Sequence, residues 1–122
     1  MTTKPILLVV DGDRDNLELT TRYLGQEGYD TRGIASLADM QEVAGEEEKI
    51  ALALIYLSVS DKNVWERCAE LQQAGIPFLI ISPQRSPSVQ KNSLKCGARG
   101  VLIKPVALKE LLVHIRTLTG EQ

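Results

Sequence analysis

The sequence predicts an α/β fold in which a doubly wound parallel sheet carries helices on both faces, within a single domain spanning residues 1–122. The length of 122 residues and the hydrophobic content of 43% suit one domain with a real core. Strand-like apolar runs alternate with helix-like amphipathic segments, so that a βα unit occurs five times along the chain. Repeated βα units place their strands in parallel and join them by right-handed crossovers.

Five runs rich in aliphatic residues predict the strands. The run IALALIYL is the most apolar, and we expect it to be the central strand, because a parallel strand covered on both faces has no polar side. The second run, YDTRGI, is a poorer strand sequence. The predicted strands cover residues 5–10, 29–34, 50–57, 76–82 and 100–103.

The first two predicted helices are recognised by their ends. Asp13 or Asp15 is expected to cap the first helix, which Gly25 and Gly28 close. Ser36 begins the second helix in an approximate capping box. The residues of the second helix expected to face inward are Leu37, Met40 and Val43.

The other three predicted helices differ in how apolar they are. The third covers about 63–74, and the fourth has Ser86 as N-cap with Pro87 at its first helical position. The fourth helix carries few apolar residues, which suits an exposed segment. The fifth helix has an apolar stripe that ends at Gly120 and consists of Leu108, Leu111, Leu112, Ile115 and Leu118.

Charge and composition argue against several classes of function. The formal net charge is -2, and Lys and Arg are spread along the chain without a block, which disfavours direct binding of nucleic acid. The N-terminal apolar run is too short for a signal peptide, and no run approaches the roughly 20 residues that span a bilayer. Cys68, Cys96 and the single His114 lack the spacing of a zinc site or a disulfide framework. We therefore expect a cytoplasmic protein that does not contact membranes.

Polar residues follow the strands at their carboxyl ends, where open α/β sheets form their binding crevice. The end of the third strand is unusual, because the long apolar run stops at a tyrosine, Tyr56. The residues predicted to meet in this crevice are Asp11, Gly12, Asp13, Tyr56, Ser82, Lys104 and Pro105.

Three motifs, in this order, resemble the receiver domain of bacterial response regulators, the CheY-like superfamily, over essentially the whole chain. They are LLVVDGD, IISP and GARGVLIKP. The resemblance implies a flavodoxin-like sheet with strand order 2-1-3-4-5, a role in two-component phosphorelay signalling, and no enzymatic activity. In that family an aspartate at the end of the third strand accepts a phosphoryl group from a histidine kinase. Two acidic residues after the first strand hold Mg²⁺, and a Ser or Thr and a Lys bind the phosphoryl group.

Matching the motifs to the family reveals three departures. Tyr56 stands at the acceptor position, Gly12 at the second acidic position, and Val101 at the position of the switching Tyr or Phe. A phenol with an unperturbed pKa of about 10 is neutral near pH 7, and it cannot form an aspartyl phosphate. We therefore expect no catalytic residue and no Mg²⁺. The residues that keep family character are Asp11, Ser82 and Lys104, and the residual metal candidates are Asp11 and Asp13.

These departures favour a pseudo-receiver, which is a receiver-like domain that signals through protein contacts without aspartate phosphorylation. A second interpretation keeps phosphotransfer, with a displaced acid such as Asp61 or Asp11 as the acceptor. A third interpretation is a small-ligand binder on the same fold, although the sequence has no Gly-rich phosphate loop.

The expected partners are proteins, namely a histidine kinase or an output domain. In the family, the face formed by the fourth helix, fifth strand and fifth helix commonly carries partner contacts and dimerisation. This face is therefore the candidate interface and the candidate homodimer contact, with Lys91 and Lys95 as positions for testing.

Three local contacts are also expected in the crevice. Lys104 should pair with Asp11 or Asp13, because an unpaired buried charge is costly. Ser82 should hydrogen-bond to the backbone or to Tyr56. The resemblance favours a cis peptide bond between Lys104 and Pro105.

Overall fold

The computed structural model describes residues 4–36, 49–58 and 63–120. All five predicted strands form one parallel sheet with the order β2-β1-β3-β4-β5, which confirms the predicted fold class. The predicted and observed strand ends agree within one or two residues. The strands are β1 (Ile6–Val10), β2 (Asp30–Ile34), β3 (Ile50–Tyr56), β4 (Phe78–Ser82) and β5 (Gly100–Ile103).

Four of the predicted helices lie in the described part of the chain. The first, third, fourth and fifth predicted helices correspond to α1 (Arg14–Gln26), α2 (Val64–Gln73), α3 (Pro87–Lys95) and α4 (Leu108–Thr119). Beyond its first residue, the predicted second helix lies outside the described residues, with Leu37, Met40 and Val43, and so does Asp61. No helix in the described ranges is long and apolar enough to cross a membrane.

The helix ends follow the predicted capping chemistry. Asp13 caps α1, since its Oδ1 accepts hydrogen bonds from the backbone N–H groups of Asp15 (3.1 Å) and Asn16 (3.2 Å). Ser86 caps α3 with Pro87 directly inside the helix. Gly120 ends α4 at φ 79°, a left-handed conformation that glycine adopts without strain.

The sheet separates two hydrophobic layers. One layer packs β1 and β3 against α1 and α4, through side chains such as Leu24 and Leu111. The other packs the opposite face against α2 and α3, through side chains such as Cys68. Side chains alternate along β3, so Tyr56 lies in the α1/α4 layer while Ile55 faces the other layer.

The strand register aligns the polar strand ends. Tyr56 pairs with Ile81, and Ser82 pairs with Ile103, so β3, β4 and β5 end at neighbouring levels. Backbone bonds continue the alignment beyond the strands, from Asp11 N to Ile34 O (3.0 Å). The residues that follow the strands therefore meet at one edge of the sheet.

Candidate functional site

An open cleft of about 570 Å³ lies at the carboxyl edge of the sheet, between the beginnings of α1 and α4. It brings together four of the seven residues predicted to meet in the crevice, since Asp13, Tyr56, Lys104 and Pro105 all line it. Its walls are a mixture of polar and apolar side chains. The full lining consists of Asp13, Asn16, Leu19, Tyr56, Pro83, Lys104, Pro105, Val106 and Leu108.

Asp11 lies buried beneath this cleft, with 4% of its surface exposed. Its Oδ1 accepts a hydrogen bond from the backbone N–H of Asp13 at 2.9 Å, and its Oδ2 accepts one from Asn16 Nδ2 at 2.5 Å. Both carboxylate oxygens are thus engaged in holding the β1–α1 turn. Asp13, whose backbone N–H donates the first of these hydrogen bonds, also caps α1 with its side chain.

Tyr56 is a core residue as well as a cleft residue. It is 7% exposed and packs in the α1/α4 layer. Burial raises the pKa of the phenol, and the negative charge of Asp11 raises it further, while the nearby Thr20 hydroxyl and Asn16 amide lower it by less. The phenol is therefore neutral at physiological pH.

Lys104 does not make the predicted ion pair. Its side chain is exposed, and its Nζ lies over the Tyr56 ring, 5.4 Å from the ring centroid. Within the described ranges it forms no ion pair with Asp11 or Asp13, so that prediction was wrong. The prediction assumed a buried ammonium group, whereas an exposed ammonium group stays hydrated and needs no carboxylate. A cation over an aromatic face contributes about 0.5–1 kcal/mol at exposed sites.

Ser82 and Pro105 behave as predicted. Ser82 is 1% exposed, and its Oγ donates a hydrogen bond to the carbonyl oxygen of Gln84 at 2.6 Å. The hydroxyl therefore bonds to the backbone, which is one of the two partners expected from the sequence, the other being Tyr56. The peptide bond between Lys104 and Pro105 is cis.

Gly12 and Val101, the two other positions that depart from the family pattern, differ in how much space surrounds them. A Cβ atom added to Gly12 would meet only the carbonyl oxygen of Ala35, at 3.9 Å. Gly12 is also not among the glycines with positive φ, so a side chain could be accommodated there. Val101 is half-buried on β5 and packs against the α2/α3 layer.

Sequence reasoning did not identify Asn16 and Thr20 as part of the site. Asn16 connects Asp11 to the surroundings of the phenol, and Thr20 is fully buried one turn further along α1. The Thr20 hydroxyl has no hydrogen bond of standard geometry in the described structure. Their positions in the sequence could have indicated this: Asn16 and Thr20 are four residues apart, and so share one face of a helix that starts beside the strand ends.

A five-stranded parallel sheet in the order 2-1-3-4-5, with polar groups at its switch point, is the architecture of CheY-like domains. The family profile described as "Response regulator receiver domain" matches residues 7–116. The chain belongs to this family.

The individual relatives agree with this assignment. The chain is 31% identical over 123 residues to the transcriptional regulatory protein AruR of Pseudomonas aeruginosa, covering 97% of this chain and 50% of that protein. It is 32% identical over 114 residues to the response regulator MprA of Mycobacterium leprae, covering 92% of this chain and 50% of that protein. The chain therefore spans about half the length of the curated relatives it matches.

Solved structures show the same fold. A CheY-like receiver domain protein from Methanospirillum hungatei has a TM-score of 0.86 at 25% identity, covering 97% of this chain and 95% of that one. A response regulator from Thermotoga maritima has a TM-score of 0.84 at 18% identity, covering 98% of this chain and 100% of that one.

Proposed function

We propose that this domain is a pseudo-receiver, which acts in two-component signalling through protein–protein contacts and without aspartate phosphorylation. The single observation that carries the proposal is Tyr56. It ends β3, where the resemblance to the family leads us to expect the acceptor, and it is a buried, neutral phenol. A phenol lacks the carboxylate that forms an acyl phosphate. Its ring also fills the space beside Asp11 that a smaller aspartate side chain would leave open.

The surrounding residues do not fit the Mg²⁺ ion that receiver chemistry uses. Mg²⁺ requires near-octahedral oxygen coordination and is usually bound through one or two carboxylates plus waters. The oxygens of Asp11 already accept hydrogen bonds from Asp13 and Asn16, and Asp13 Oδ1 caps α1. Gly12 offers no side-chain oxygen, and no cluster of three metal-binding side chains occurs in the described part of the chain.

The contacts around Tyr56 favour a domain that stays in one conformational state over a domain that changes state when it is phosphorylated. Lys104 lies over the phenol ring, and Ser82 donates its hydroxyl hydrogen to the Gln84 carbonyl oxygen. In the family these two side chains serve the phosphoryl group. Here both have partners within the chain, and Val101 supplies no aromatic ring for a coupled rotation. The partner that reads this state is a histidine kinase or an output domain, and the domain itself is not an enzyme.

The proposal is tested by NMR titration with Mg²⁺ and beryllofluoride, which mimics a bound phosphoryl group. We expect no saturable chemical-shift change at Tyr56, Ser82 or Lys104. A receiver domain with an intact acceptor aspartate, titrated in the same buffer, controls for the reagent. Saturable shifts centred on those three residues would contradict the proposal.

A matched variant asks whether the lost chemistry can be restored. The double substitution Gly12→Asp with Tyr56→Asp returns two carboxylates, and the open surroundings of Gly12 can accept the first. We expect this variant to gain a Mg²⁺-dependent response to beryllofluoride. Incubation of the natural protein with acetyl phosphate, followed by intact-mass measurement, tests the displaced-acceptor alternative. A phosphoryl adduct on Asp11 or Asp61 that hydroxylamine removes, as expected of an acyl phosphate, would favour that alternative.

A further inference from the structure

The main-chain hydrogen bonds of β2 run to one side of the strand. β2 is the outermost strand in the order β2-β1-β3-β4-β5, and β1 is its neighbour. At one end of β2, the N–H of Asp30 donates to the Pro5 carbonyl oxygen at 3.0 Å. At the other end, the Ile34 carbonyl oxygen accepts from the Asp11 N–H at 3.0 Å. The bonding direction alternates from residue to residue along a strand, so Arg32 also bonds towards β1.

Thr31 and Gly33 therefore turn their N–H and C=O groups away from the sheet. No main-chain hydrogen bond joins these groups to another residue of the described ranges. Gly33 is exposed, although its α1 side is closed, since a Cβ atom there would lie 3.2 Å from Leu17 Cδ1. Its main chain thus meets solvent away from α1. We call the lateral edge formed by Asp30–Ile34 the β2 edge. An edge strand with open N–H and C=O groups is a template for another strand.

Asp30 and Arg32 give the β2 edge one charge of each sign. They lie on the same face of the strand and form an ion pair with each other. The Asp30 side chain is 42% exposed and the Arg32 side chain 27% exposed, so both are within reach of a second strand. Charged residues, especially Lys, commonly protect edge strands against pairing. Here the two signs stand two residues apart, which makes the edge complementary to itself.

We propose that the β2 edge pairs with the β2 edge of a second copy of this chain, antiparallel and with Thr31 opposite Thr31. The two threonines then exchange both of their main-chain hydrogen bonds. Asp30 of each copy stands opposite Arg32 of the other, and opposite charges facing each other across two strands attract. A two-fold axis at Thr31 generates this arrangement, because a two-fold interface uses the same patch twice.

The charges select this register among those that bring outward main-chain groups together. Moving the axis to Arg32 would place the two Arg32 side chains directly opposite each other, where like charges are destabilising. Moving the axis to Gly33 would place Arg32 opposite Ile34 and leave the ammonium-type charge without a carboxylate across the strands. An unrelated extended peptide has the main-chain groups but lacks the matched pair of charges.

The β2 edge is separate from the candidate functional site. It lies on the side of the sheet opposite to β5, and none of its residues lines the cleft. The proposed dimer therefore stands independently of the pseudo-receiver proposal. It also uses a different surface from the homodimer contact expected from the family, which involves β5 and its neighbouring helices.

Sedimentation equilibrium of the chain tests the proposal. The contact is short and small interfaces are weak, so we expect a dimer with a Kd of about 0.01–1 mM. The Kd should rise severalfold between about 50 mM and about 300 mM salt, because exposed charges are screened. A chain that remains monomeric at about 2 mM would overturn the proposal.

A pair of variants at Thr31 tests the main-chain contact. Thr31→Pro removes the outward N–H and leaves the bonds to β1 in place, since proline is accepted on an edge strand where the N–H faces solvent. It should raise the Kd about tenfold or more, because both exchanged bonds are lost. Thr31→Val is the matched control: both variants lose the hydroxyl bond to the Thr21 carbonyl oxygen (3.3 Å), but valine keeps the N–H. Equal Kd values for the two variants would overturn the proposal.

Two charge variants should repel themselves and attract each other. Asp30→Arg places two arginines on the edge and Arg32→Asp places two aspartates, so each variant alone should have a Kd raised about tenfold or more. In an equimolar mixture, arginines face aspartates at both positions, and the dimer should form at least as tightly as in the unmodified chain. Circular dichroism identifies a variant that does not fold, in which case the Thr31 variants decide the question.

The contrary outcomes are specific. The double substitution Lys91→Glu with Lys95→Glu, on the distant α3, should leave the Kd within about twofold. A dimer that this variant abolishes and Thr31→Pro preserves would place the contact on the face expected from the family. A mixture of the folded charge variants that associates no better than either alone would exclude the register with Asp30 opposite Arg32. Either result overturns the proposal.

Discussion

Replacing Tyr56 by aspartate tests how much the buried Tyr56 ring contributes to the free energy of unfolding. The substitution Tyr56→Asp removes an aromatic side chain that is 7% exposed in the α1/α4 layer. Losing a buried aromatic side chain costs about 3–5 kcal/mol. The free energy of unfolding of a domain this size is about 5–15 kcal/mol, so the variant should lose between about a fifth and all of it.

The new carboxylate should add a pH-dependent part to this loss. It would stand beside Asp11 in a poorly hydrated site, and both effects raise the pKa of a carboxyl group above its unfolded value of about 3.9. A group whose pKa is raised on folding supports the folded state below its unfolded pKa, and that support is lost as the pH rises through the folded pKa. The deficit of the variant should therefore be smaller near pH 4 than at pH 7.

Urea unfolding followed by circular dichroism measures both parts. With a slope of about 2 kcal/mol/M, a loss of about 4 kcal/mol lowers the midpoint by about 2 M. The substitution Tyr56→Asn is the matched control, because it has nearly the same shape without the charge, and its deficit should not depend on pH. A loss below about 1 kcal/mol, or the same pH profile for both variants, would refute the reasoning.

Three further predictions concern single contacts. Burial raises the pKa of the Tyr56 phenol, so its contribution to stability is fully present below the unfolded pKa of about 10 and is lost as pH rises through the folded pKa. Tyr56→Phe should weaken this alkaline loss, which unfolding midpoints between about pH 9 and about pH 11 would reveal; identical profiles would contradict it. Asp13→Ala removes the α1 cap and should cost about 1 kcal/mol in urea unfolding. The control is Glu18→Ala, which removes an exposed carboxylate from the same helix and should cost less. Ser93 is 1% exposed with an unpaired hydroxyl on α3, so Ser93→Ala should stabilise the domain by about 1 kcal/mol or more in the same assay, and a loss of stability would show that the hydroxyl has a partner.

Most of the described secondary structure could be predicted from the sequence, because the signals for helices and strands are local. The apolar runs of β3 and β4 and the stripe of α4 follow directly from side-chain period and burial. The caps at Asp13 and Ser86 were predictable because a short polar side chain satisfies the free N–H groups of the first helical turn.

The same reasoning was less successful inside the site. It named Tyr56 and Lys104 as neighbours but assigned Lys104 the wrong contact. It also did not anticipate the hydrogen bond from Asn16 to Asp11. Each of these depends on where a long side chain turns after the backbone has been positioned, and residue type alone does not decide that.

The sequence by itself determined that a parallel α/β sheet would form and that its strand ends would collect Asp11, Tyr56, Ser82 and Lys104. Periodicity and turn chemistry act over a few residues, so they can be read from the chain. Only the tertiary structure decided that Lys104 lies over the phenol while Asp11 is used within the β1–α1 turn, and that Thr31 and Gly33 turn their main-chain groups outward at the β2 edge. These outcomes depend on distance and solvent access between residues far apart in sequence, which are established only when the elements pack.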